Sequence, residues 1–218
     1  HIGKELAKYL IFTGKVVDFA GAAVSGALIE RVGAPSNNTS SLGNGTFVLS
    51  GIPGGSPFSL KVSKATYVPS YSGSILSGSD INATATPFTL YTAAQLTGLG
   101  VTPGKGVVFG TVLNWATLAP VEGAVVTASS SLHPGTPYSV TYYTGTGFGG
   151  AATFANGIFV VHNTDDGDTV TINATRPGWT FSPDRPPEEL ALAVASVEAR
   201  AGLPPAGFRA HVELGQRG

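Results

Sequence analysis

Cysteine and methionine are both absent from the 218 residues of this chain. Without cysteine there is no disulfide framework, no thiolate metal site and no c-type haem attachment motif. Charge is scarce too: Asp, Glu, Lys and Arg make up 11% of the residues, against about 25% in an ordinary soluble domain. The net charge is −1, and no Lys or Arg occurs between Lys105 and Arg176. Nothing gathers phosphate, so nucleic acid is not expected as a partner. Mean hydropathy is +0.20, yet no run approaches the ~18 apolar residues of a membrane-spanning helix. Ser, Thr, Gly and Asn fill the polar positions instead. The start at His1, without Met, leads us to expect a processed product.

What the chain does contain is a long repeat. Asn44-Gly45-Thr46-Phe47-Val48-Leu49 returns 112 residues later as Asn156-Gly157-Ile158-Phe159-Val160-Val161. Tyr67 and Trp179, each following an alternating strand, keep that offset. Upstream, Gly14-Lys15-Val16-Val17 matches Gly110-Thr111-Val112-Leu113, and Val24-Ser25-Gly26-Ala27 matches Val121-Glu122-Gly123-Ala124, at offsets of 96 and 97. The offset therefore grows by about 15 residues, which predicts a longer loop after Ala124, over Ser129 to Gly150. Solenoid units repeat every ~20–50 residues, so this period means a duplicated domain.

Turn residues divide each copy into short strands. Asn44-Gly45 ahead of apolar Phe47-Val48-Leu49 predicts a hairpin, with the type I′ turn that Asn-Gly favours. Pro53-Gly54-Gly55 predicts another turn, after which Phe58, Leu60 and Val62 alternate inward. Short strands with frequent turns predict an all-β chain of two tandem antiparallel sandwiches. The boundaries read as a leader over 1–10, a first sandwich over 11–92, a Gly/Thr-rich link over 93–105 and a second sandwich over 106–218. Pro186-Pro187-Glu188-Glu189 ahead and Gly202 behind predict a helix over about 187–201. Phe208 to Leu214 reads as a closing strand.

The order Gly-x-Val, Val-x-Gly-Ala, Asn-Gly-x-Phe-Val-Leu, Gly-Ile-Pro-Gly-Gly and Leu-x-Val before an aromatic resembles the carboxypeptidase regulatory-like domain. That domain is a transthyretin-like sandwich akin to the CnaB-type modules of surface proteins. The resemblance covers residues 11–91 and, less closely, 106–182. It implies a stalk, spacer, adhesive or assembly module, secreted or on the cell surface, with no chemistry of its own.

Residues that could carry chemistry are few. His133, His162 and His211 are scattered, without the spacing of a metal site. Asp165-Asp166-Gly167-Asp168 resembles part of a calcium loop but lacks its terminal Glu, and reads as an acidic turn. No Gly-x-Ser-x-Gly elbow with plausible partners is present, so no enzyme activity, metal or cofactor is expected. Five of the eight asparagines open an Asn-x-Ser/Thr triplet: Asn37, Asn38, Asn44, Asn82 and Asn173. Asn173 falls on the outward side of its strand if Val170 and Ile172 point inward. Glycans on some of these sites would explain how so uncharged a surface stays in solution. Tyr138, Tyr142, Tyr143 and Phe148, with Trp115, form a candidate platform for a polysaccharide, although Tyr142 and Tyr143 face opposite sides if strand-like.

The reading that unites these features is a non-catalytic extracellular structural protein, a subunit of a surface filament or layer. Charge-poor sheet edges invite pairing, and Leu10 to Val17 or Phe208 to Leu214 are the expected donors to a neighbour. The expected partner is the chain itself or another surface protein. The alternatives are a polysaccharide-binding or adhesin module, or an accessory domain of a larger surface protein.

Overall fold

The computed structural model describes residues 9–75, 77–114, 119–165, 168–182, 197–200, 209–212 and 214–216; of 169 and of the residues from 180 onward it describes the backbone alone. The first module contains β1 (Tyr9–Asp18), β2 (Leu28–Arg31), β3 (Ala34–Ser40), β4 (Thr46–Pro53), β5 (Leu60–Ser63), β6 (Ser70–Ser72), β7 (Ile81–Asn82) and β8 (Phe88–Leu90). A short helix, α1 (Ala93–Gly98), follows. The second module contains β9 (Gly106–Thr111), β10 (Val125–Ser130), β11 (Pro137–Tyr138), β12 (Val140–Tyr143), β13 (Phe148–Gly149), β14 (Ile158–Thr164), β15 (Thr169–Thr175) and β16 (Thr180–Ser182). Among the described residues beyond these lie β17 (Val197–Arg200), β18 (Arg209–Val212) and β19 (Leu214–Gln216).

Each module packs two sheets face to face. In the first, β4 lies antiparallel to β1, while β7 and β8 pair with β1 in parallel. The facing sheet runs β3-β2-β5-β6, antiparallel throughout. Strict alternation along β1 sends Leu10, Phe12 and Val16 into a core with Ile29, Phe47, Leu49, Leu60, Val62 and Leu90. In the second module one sheet runs β13-β12-β14-β9, and the other runs β11-β10-β15 with β18 added in parallel. Val108, Val126, Tyr142, Phe159, Val170 and Ile172 fill the space between them.

Equivalent residues of the two modules do equivalent work. Gly14 lies beneath the Phe47 ring and Gly110 beneath the Phe159 ring; a Cβ at either glycine would enter the ring. Val16 N–H donates to Gly45 O at 2.8 Å, and Val112 N–H to Gly157 O at 2.9 Å. A buried hydroxyl staples the next crossing in both. Ser41 Oγ accepts from Ala27 N–H (2.9 Å) and donates to Val24 O (2.6 Å). Thr153 Oγ1 accepts from Ala124 N–H (2.9 Å) and donates to Val121 O (2.7 Å).

Four expectations are corrected. Asn44-Gly45 does not form a type I′ turn, because only Gly45 has positive φ (+79°). Asn44 instead accepts from Thr46 N–H with its side chain, closing a turn in which Gly45 N–H donates to Leu42 O. The chain from Ser129 to Gly150 is not one long loop, since β11, β12 and β13 are paired strands within it. The leader does not extend to residue 10: Tyr9 and Leu10 already pair with Pro53 and Ile52. A helix lies at Ala93–Gly98, within the expected link, and Val197–Arg200, the described end of the expected 187–201 helix, is strand. Residues 187–196 lie outside the described part of the chain.

Candidate functional site

Among the described residues, the most elaborated feature is the joint between the two modules. It begins at Thr92, whose Oγ1 accepts from Gln95 N–H (3.3 Å) while Thr92 N–H donates to Gln95 Oε1 (2.8 Å). This reciprocal cap satisfies two donors that a helix start leaves open, so even six residues hold a helix here. The helix buries Leu96, and Val101 N–H returns to Leu96 O at 3.0 Å. Leu96 and Val101 join Val68 of the first module and Val107 and Val160 of the second in a third apolar core, which Tyr91 completes. Tyr91 stacks on Phe109 with centroids 5.1 Å apart and planes 6° from parallel, and Phe19 is tilted against Tyr91 with centroids 5.6 Å apart. Burial pushes the Tyr91 phenol up to about 12, so it stays neutral inside the joint.

Polar contacts fix the segment beyond the helix. Thr102 N–H donates to Asn163 Oδ1 at 2.7 Å, with Asn163 held at φ +58°. Lys105 pairs with Asp165, beyond the end of β14. The strand β17 lies antiparallel to both β9 and β6, so one sheet passes from module to module. Modules joined by small polar contacts move freely, whereas a hydrophobic interface of this kind suppresses that motion.

Asp168 is a second organised centre. Its Oδ1 accepts from Ser131 N–H (2.8 Å), Ser131 Oγ (2.7 Å) and Leu132 N–H (3.1 Å), and its Oδ2 accepts from Tyr138 Oη at 2.5 Å. Burial alone would raise this carboxyl, but hydrogen bonds from Ser130, Tyr138, Ser131 and the Leu132 amide outweigh it and bring it to about 2. Asp165 is also lowered, first by the Lys105 ammonium, which outweighs its desolvation, with His133 adding to the effect. The carboxylate of Asp168 is thus spent on clamping the loop after β10, and among the described residues no group of three or more metal-ligating side chains is present.

The sugar platform does not assemble as a set. Tyr142 is buried, its Oη accepting from Val126 N–H at 2.8 Å. Tyr138 is held by Asp168, which leaves Tyr143 and Phe148 as a surface pair with rings 5.3 Å apart. Trp115 lies outside the described residues. His162 meets Thr141 Oγ1 at 2.7 Å and is lowered by burial. The side chain of His211 lies outside the described part. Of the sequon asparagines, Asn38, Asn44, Asn82 and Asn173 are exposed, and Asn173 does point outward from β15. Asn37 is half-buried and donates through Nδ2 to Ser50 O at 2.8 Å; Asn38 Nδ2 donates to Pro35 O at 2.7 Å. Asn44 and Asn82 share one geometry, each Oδ1 accepting the hydroxyl of Thr46 or Thr84 at 2.7 Å.

The joint escaped the sequence reading, although two signals were present. Thr92-x-x-Gln95 has the spacing of a capping box. Val107-Val108-Phe109 is apolar without alternation, as in a strand covered on both faces.

No family model matches the chain, and no curated protein does. Among solved structures, similarity is found to the Bacillus anthracis TIE protein, at TM-score 0.29 and 10% identity over 96% of this chain and 34% of that one. A Streptococcal ancillary pilin gives TM-score 0.29 and 10% identity over 94% of this chain and 62% of that one. Shaft pilin SpaA from Lactobacillus rhamnosus GG gives 0.27 and 10% over 98% of both chains. This chain thus spans about a third of the first protein and under two thirds of the second. At these TM-scores the likenesses carry no functional conclusion.

Proposed function

We propose that this chain is a non-catalytic structural subunit of an extracellular or cell-surface filament or layer. The observation that carries the reading is the joint: Tyr91, Leu96 and Val101 fuse two similar sandwiches through a shared apolar core. A two-module unit with a stiff centre transmits direction and load along its length, which a subunit of a surface structure requires. The reading is of the same kind as the shaft and ancillary pilins named above, although it stands on the joint and the repeat. Immunogold labelling of intact producing cells with antibody to this chain tests it. Label along surface filaments or a continuous outer layer is expected; label confined to the cell interior contradicts the reading.

The strand-exchange route needs revision. Leu10 to Val17 cannot serve as a donor strand, because β1 is already paired with β4 on one side and with β7 and β8 on the other. Phe208 lies outside the described residues, and Arg209–Val212 is committed to β15. Assembly by packing of faces is the better-supported route. We also propose that the exposed Asn44 and Asn173 are the glycan acceptors among the five sequons. Unmodified peptides spanning both, from protein isolated from its source, would exclude this. The Tyr143–Phe148 pair is the remaining part of a polysaccharide contact, and glycan affinity electrophoresis of a Tyr143→Ala variant measures its contribution.

A further inference from the structure

The two modules carry the same sheet face, and only one of the two is covered. At the offsets of the repeat, Ile11 corresponds to Val107, Thr13 to Phe109 and Val48 to Val160. Register confirms the match, since Thr13 lies opposite Val48 and Phe109 opposite Val160. In the second module Val107 and Val160 are 0% exposed, sealed by α1 and by Val68 and Tyr91 of the module ahead. In the first module Ile11 is 43% exposed, Val48 55% and the adjacent Tyr9 65%. Ile11 and Val48 are diagonal cross-strand neighbours, so together with Tyr9 they form one apolar stripe.

Resting on the structural-subunit reading above, we infer that this face of β1 and β4 is the docking surface for a second copy of the chain. The occupant is argued from the chain itself: the one place where the equivalent face is covered, the cover is the trailing end of a preceding module of the same repeat. If copies dock as the two modules do, where this face meets a different surface, each copy leaves one bare face, and repetition extends a row rather than closing a pair. Asn82 lies opposite Thr13 and is exposed on this face, so a glycan there would block docking.

Sedimentation velocity over a wide concentration range tests the inference with the full chain. Self-association is expected, weakened about tenfold or more by Val48→Asp or Ile11→Asp, because a buried unpaired charge is costly at an interface. Val125→Asp, at an exposed apolar residue on another sheet, should leave it unchanged. All three side chains project outward, and an unaltered melting temperature verifies folding. Association unaffected by Val48→Asp and Ile11→Asp would place the contact elsewhere while leaving the subunit reading intact. A wild-type chain that stays monomeric, but associates once residues 1–8 are removed, would show that its own leading segment covers the face and overturn a second copy as occupant. A chain monomeric under all conditions overturns the inference, and the immunogold result then decides the subunit reading separately.

Discussion

At the scale of single residues, the two modules are held by groups whose importance depends on what they touch. Ser41 and Thr153 each connect two backbone groups that burial removes from water. Deleting the hydroxyl strands both, at a cost of about 1–3 kcal/mol. Ser41→Ala and Thr153→Val should each lower the calorimetric melting temperature by several degrees, whereas Ser36→Ala, at an exposed position, should not. The match of Gly14 to Gly110 and of Phe47 to Phe159 was legible because those residues are distinctive. The match of Ser41 to Thr153 was not, since Ser and Thr are so frequent here that coincidence carries no information. Asp168 was legible only as an acid in a turn, because Ser131 and Tyr138 lie 37 and 30 residues away. Its folded carboxyl lies below the ordinary 3.8. The clamp therefore contributes fully above about pH 4, and the contribution is lost as pH falls toward 2. Asp168→Ala should destabilise the protein by about 1–3 kcal/mol at neutral pH and flatten the acid limb of its stability profile between pH 4 and 2, as urea titrations at stepped pH would show.

At the scale of elements, the alternating pattern of β1 identified a strand but not its neighbours. Alternation reports which side chains face a core; it does not say whether an edge is open. For that reason the sequence suggested β1 as a donor to another molecule, whereas it is a central strand. Removing residues 1–12 would delete Leu10 and Phe12 from the first core, so it would unfold that module rather than uncouple subunits. The helix at Ala93–Gly98 is not legible in the sequence because it carries no proline or acidic start; so short a helix persists only where a cap and a burial site coincide. Leu96 supplies the burial, and Leu96→Ala should cost about 2–5 kcal/mol. If the joint couples the modules, Leu96→Ala and Tyr91→Ala should split one thermal transition into two, each module then melting alone. A single sharp transition retained in both variants would mean that the coupling lies elsewhere.

At the scale of the molecule, the duplication was plain in the sequence, but the relation between its halves was not. A period of about a hundred residues reveals two domains and is silent on how they meet, because one side of the joint is built from residues at and beyond the end of the first copy. Tyr91 closes the first copy, and Leu96 and Val101 lie between the copies, in a stretch whose Gly and Thr content reads as a link. The structure instead gives that stretch a cap, a core and a strand pairing, from which we predict that the two sandwiches move as one body. The absence of cysteine makes this directly measurable, since spin labels at Ser36→Cys and Thr127→Cys, one exposed site in each module, report a single distance by pulsed dipolar resonance. One narrow distribution is expected for the intact joint, broadening when Leu96→Ala is added; a broad distribution in the parent protein would mean that the modules swing independently and that the stiff unit does not exist.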